Sequence, residues 1–201
     1  MPTNMTMTKP PYELTVGAFW WKVGEQEWLL PVVKTINVNS GDQVSTIYAS
    51  GIVYDVTALV SGGTIGLTAV ALPEELLTLS LGSTKLASGV TYDIDKPILP
   101  DAECGYIGHM SDGSSVYYYH PRVKLVRGAA NHKTKTNSPV DPSVDYTIHL
   151  LTTDEGIWKV RFPDATPTDE RFLAFCQAQL NTKAKLQEYT APAKTEQASA
   201  S

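Results

Sequence analysis

The chain has 201 residues, 42% of them hydrophobic and 18% charged, with a net charge of −5. That length allows one domain with its own core, and the composition suits a turn-rich β protein rather than a disordered or coiled-coil one. An acidic balance argues against a sequence-specific nucleic-acid reader, whose footprint is basic, and no run approaches the roughly 18 apolar residues of a membrane helix.

Residues 1–12 are polar and lack the apolar stretch of a secretory signal, so they are expected to be a flexible segment on a protein made in a cytoplasm. Phe19-Trp20-Trp21 and Trp28 follow, and then Ile36-Asn37-Val38-Asn39 begins a pattern of period two. Ser40-Gly41-Asp42 and Ser61-Gly62-Gly63 have the composition of turns, and Thr64–Ala69 alternates again. From Pro73 to Gly82 the rhythm breaks. Pro sits at a first helical position, Glu74 and Glu75 occupy the first turn and Gly closes the segment, which predicts a helix of about two turns. Asp112-Gly113 between Tyr106–Met110 and Val116–Tyr119 is a hairpin signal, because both residues tolerate positive φ. Arg122–Leu125, Asp145–Leu150 and Trp158–Phe162 alternate strictly, the last two separated by an Asp154-Glu155-Gly156 turn. Thr166 with Asp169 three residues on resembles a capping box. It leads into a helix over Glu170–Asn181 whose Phe172, Phe175, Cys176 and Leu180 form one stripe. Residues 183–201, rich in Ala, Thr, Ser, Lys and Glu, are expected to be a flexible tail. The expected fold is mainly β: two packed antiparallel sheets, as a sandwich or barrel, over residues 13–182, with a flanking C-terminal helix and a short inserted one.

Catalytic signatures are missing. There is no nucleophile elbow, P-loop, dinucleotide fingerprint or HExxH motif, and His109, His120, His132 and His149 have no partner at metal-ligand spacing. His149 falls on the polar face of its strand. Asp93-Ile94-Asp95 is a DxD pattern of a kind that arises often by chance. Cys104 and Cys176 stand outside any CxxC, and are read as small buried apolar residues, although a disulfide between them stays open. No enzyme activity, metal or cofactor is expected.

Two features point toward association instead. The aromatics exceed what one small core needs, so Trp20, Trp21, Tyr117 and Tyr119 are candidates for a surface covered by another copy. The alternative is a core position under the C-terminal helix. Charge is also divided along the chain: residues 40–112 hold nine acids against two bases, and residues 113–161 hold seven bases against four acids. Such a division allows head-to-tail contacts between copies, unless folding simply mixes the two stretches.

The order of these pieces resembles the major tail proteins of long-tailed, non-contractile bacteriophages, which build the tail tube. The resemblance rests on Gly17–Trp21, Val33–Val38, Thr46–Gly51 and Thr64–Ala71 leading into Leu72–Leu77 and Leu81-Gly82. It continues through Cys104–Ile107, Tyr117–Tyr119, Thr134–Pro139 and Gly156–Val160, and covers about residues 14–180. It implies hexameric rings stacked into a tube, a tape-measure protein in the lumen, tail terminator and distal tail proteins at the ends, and a location in the virion tail. DNA would pass through during genome ejection without sequence-specific binding. It further implies an arm loop to the adjacent ring, placed here at residues 40–63 with Asp42, Ile47, Tyr48, Ile52 and Tyr54 as contact residues. Asp55, Asp93, Asp95, Asp101 and Glu103 are the candidates for an acidic lumen, since a wall that bound phosphate would hold the DNA back. The rival readings are a tail completion or terminator ring and a carbohydrate-binding β-sandwich with Trp20, Trp21, Trp28 and the Tyr triplet as platform.

Overall fold

A computed structural model describes residues 12–30, 33–49, 52–70, 72–95, 97–127 and 144–190. Among the described residues, ten strands and three helices run in the order β1 (Glu13–Val23), β2 (Gln26–Leu30), β3 (Val33–Ala49), β4 (Ile52–Ala69), α1 (Glu74–Ser80), β5 (Thr84–Lys85), β6 (Thr91–Tyr92), β7 (Ala102–Met110), β8 (Ser115–Arg127), β9 (Val144–Leu150), β10 (Val160–Asp164), α2 (Asp169–Gln177) and α3 (Lys183–Glu188). The protein is mainly β and antiparallel, as the alternation predicts. One large sheet takes the order β2-β1-β7-β8-β9-β4-β3, with β10 also on β8, and β5–β6 form a small hairpin of their own. Among the described residues the sheet does not close into a barrel; β2, β3 and the short β10 are its edges.

Layering comes from β8. Its first half, Ser115–Tyr119, lies between β7 and β10, whereas Val123–Arg127 pairs with β9. Between Cys104↔His120 and Ala102↔Val123 the register slips by one residue, a β-bulge around Pro121 and Arg122. One extra residue exchanges the faces of a strand, because side chains alternate with period two. Tyr117 and Tyr119 therefore point away from the sheet's fold, and Val123 and Leu125 point into it. The β1–β7 part folds over the β9–β4 part, and Phe19, Trp21, Cys104 and Tyr106 meet Ile65, Leu67, Ile148 and Leu150 in a first core. The opposite face of β1, β7 and β8 carries a second core, where Trp20, Ile107, Tyr117 and Tyr119 pack under Phe172, Phe175, Cys176 and Leu180.

The Asp112-Gly113 turn is as expected. Gly113 has φ +84°, and the Asp112 carboxylate accepts from both the amide and the hydroxyl of Ser114. Three local expectations are corrected. Ser40–Asp42 and Ser61–Gly63 are not turns: they face each other within β3–β4, where Gly62, at φ +82°, forms a bulge. A Cβ on Gly62 would stand 2.2 Å from the Leu150 carbonyl oxygen, so glycine is required there. The cap of α2 is Thr168, whose hydroxyl accepts from the Arg171 amide at 3.2 Å; Thr166 instead donates its amide to Asp164. Residues 183–190 are no loose tail but α3 and its exit, with Leu186 and Tyr189 packed on the second core. Residues 1–11 and 191–201 lie outside the described residues.

Candidate assembly surfaces

The 40–63 segment, expected as a loop, is a β-ribbon. β3 and β4 pair from Val33↔Ala69 to Ala49↔Ile52, but β9 accompanies β4 only from Gly63 to Ala69. Beyond the Gly62 bulge the two strands have only each other among the described residues. Asp42 stands opposite Val60, Ile47 opposite Asp55, Tyr48 opposite Val53 and Ile52 opposite Ala49; Tyr54 is the extra residue of a second register slip. At ~3.4 Å per residue, the eight residues from Asp42 to Ala49 give the ribbon a reach of roughly 25 Å past the sheet.

The four aromatics do not form a surface. Trp20, Trp21, Tyr117 and Tyr119 are 0–1% exposed, and the alternation Phe19-Trp20-Trp21 distributes them between the two cores. Their polar atoms are satisfied internally. Trp21 Nε1 donates to Ser80 Oγ at 2.9 Å, tying β1 to α1. Trp20 Nε1 donates to Glu27, which also accepts from Gln177 of α2. Tyr119 donates to Glu103 at 2.6 Å, and Tyr117 exchanges hydrogen bonds with the Thr168 backbone. Burial pushes the Tyr117 phenol up to about 12 and that of Tyr119 higher still. A second copy cannot touch these four side chains, and neither can a sugar; of the aromatic platform of the carbohydrate-binding alternative, Trp28 and Tyr118 are the partly exposed members.

The acids of residues 40–112 are not left to themselves. Asp93 pairs with Arg127, and Asp101 with both Arg122 and Lys124. Folding brings the acidic and basic stretches together along the edges of β8. Glu103 is turned to Tyr119, Asp95 is exposed, and Asp55 lies in the ribbon. Of the five candidates, Asp93 and Asp101 are thus neutralised by cations of β8, and Asp55 belongs to the ribbon.

What remains exposed and apolar is elsewhere. Leu79, Leu86, Val90, Tyr92, Ile94 and Ile98 all lie on the stretch from α1 to β7, and Ile98 is 89% exposed. Beside them Leu81, Pro97, Leu99, Leu125 and Val126 line a groove of about 260 Å³, with the Asp93–Arg127 pair at its rim. Sequence reading missed this patch, because Leu86, Val90 and Ile98 are scattered without helical or strand period. Eight apolar residues in the twenty positions 79–98, outside any long element, were the available signal.

Chemistry-bearing groups are few. Among the described residues no group of three His, Cys, Asp or Glu side chains could hold a metal ion. Cys104 and Cys176 are free thiols in different cores, and burial drives both pKa values up. His149 is exposed, as its strand position implies. His120 is fully buried. Its Nδ1–H donates to the Trp158 carbonyl at 2.9 Å, its ring stacks on Tyr106, and burial lowers its pKa to about 4. Asp164, also buried, binds Arg171 at 2.7 Å. Burial alone would raise its pKa, but the bonds from Arg171 and the Thr166 amide outweigh it and hold the carboxyl below its usual value.

No family model and no curated protein sequence matches the chain. Among solved structures the fold is similar to the sheath/tube terminator of an extracellular contractile injection system (PVC) in its extended state, determined by cryo-EM. The similarity has a TM-score of 0.40 at 13% identity, and spans 75% of this chain and 97% of that one. A likeness that distant carries no functional inference.

Proposed function

We propose that this chain is a non-catalytic structural subunit of a phage-tail-like tube, which assembles as hexameric rings that stack around a tape-measure protein and later conduct DNA. The observation that carries the reading is the β3–β4 ribbon, which leaves the sheet and pairs with nothing else among the described residues. A two-stranded ribbon is marginal on its own in water, so its length is best accounted for by contacts with another molecule. The ordered sequence segments that resemble tail-tube proteins support the same reading, with virion-tail location and terminal tail proteins as the corresponding partners.

Negative-stain imaging of the full-length protein, purified and concentrated with and without the tape-measure protein, tests it. Hollow tubes or stacked rings are the expected result. Single rings that never lengthen would identify a terminator instead, and a strict monomer at millimolar concentration would overturn both.

A further inference from the structure

The ribbon and the exposed apolar patch lie at opposite ends of the same sheet half. Gly63, Leu150 and Val123 form one transverse row, and Leu67, Tyr146 and Arg127 form another. The ribbon departs from the first row, at the Gly62 bulge over the Leu150 carbonyl. The patch belongs to the second, where Leu125, Val126 and Arg127 line its groove and the Arg127–Asp93 pair anchors the segment. An element at one end and an acceptor at the other make a head-to-tail contact, which repeats into an open stack rather than closing on itself.

We propose that the apolar surface of residues 79–98 is the acceptor for the β3–β4 ribbon of a second copy stacked on this one. The proposal rests on the tube reading and adds the place where successive rings grip. Its chemistry is matched on both sides. The ribbon from Gln43 to Tyr54 holds no charged residue, while Val44, Ile47, Tyr48, Ile52, Val53 and Tyr54 supply apolar bulk. On the acceptor, Lys85 is paired with Glu74 and Arg127 with Asp93, so covering the groove leaves these two cations neutralised. Six large apolar side chains, from 38% exposed at Leu79 to 89% at Ile98, gather within twenty residues, whereas singly scattered exposed apolar residues are the norm on a monomer.

The test uses exposed positions that the core does not need. Ile98→Asp and Tyr92→Ser should fold with unchanged circular dichroism, yet raise the critical concentration for tube growth at least tenfold, leaving short stacks or single rings. Ile98→Ala provides a milder variant should the charge disturb folding. Separately, a Val53→Cys, Ile94→Cys double variant should give intermolecular disulfide ladders under oxidation in assembled protein, since both native cysteines are buried. Normal tubes from all three patch variants, with no ladder from the cysteine pair, would overturn the acceptor assignment while leaving the tube reading intact. A wild-type protein that forms no rings or tubes, together with no ladder from the cysteine pair, would overturn both.

Discussion

His120 shows what one buried side chain does to the pH response. It is neutral in the fold, with a pKa lowered to about 4 against an ordinary 6.5, so the unfolded chain binds a proton that the folded chain refuses between those values. Stability is complete above pH 6.5 and falls as the pH drops toward 4, by at most about 3 kcal/mol from this residue. Asp164 acts in the same direction at lower pH, because its depressed pKa gives stability that is lost only as the pH falls through the folded value. His120→Phe should flatten the loss of melting temperature between pH 6.5 and 4 and leave the steeper fall below it. An unchanged profile would show that another group controls acid unfolding. Sequence could not reveal this residue. His120 sits on β8 with a bulge immediately after it, and alternation alone does not say that both His120 and Pro121 are inward.

At the scale of elements, legibility follows local physics. The inward faces of β4 and β9 were readable, because Ile65, Leu67 and Ala69, like Tyr146, Ile148 and Leu150, obey strict period two against a single core. The stripe of α2 was readable for the corresponding reason at period 3.6, and Phe172, Phe175, Cys176 and Leu180 are all buried. The Gly-rich pairs at 40–42 and 61–63 were not, since the same residues serve a turn and a bulge, and only the strand pairing decides. The outward aromatics failed for a related reason: a face turned from one core is inward to another when a helix covers it. The ribbon can be tested as an element. Replacing Gln43–Leu59 by Asn-Gly would join Asp42 to Val60 through a tight hairpin turn. The truncated chain should melt within about 3 °C of wild type, because the excised residues pair with no other strand among the described residues. It should form no tubes. A truncation that still assembles normally would remove the ribbon from the interface.

For the whole molecule, charge and topology set the outcome. A separation of sign along the sequence suggested two patches, but β8 places Arg122, Lys124 and Arg127 beside Asp101 and Asp93. These pairs are partly exposed and so contribute little individually. Their effect is to join part of the acidic stretch to part of the basic one, and the exposed apolar side chains gather on segment 79–98. The large sheet likewise joins what the sequence presents as separate strands. β8 contributes Tyr117 and Tyr119 to one core and Val123 and Leu125 to the other, through a single extra residue near Pro121. A strand owned jointly by two cores ties their fates: neither half of the body can melt and leave its neighbour standing. Amide hydrogens on both flanks of Pro121 should therefore exchange with solvent at one common slow rate, as though a single latch held two doors.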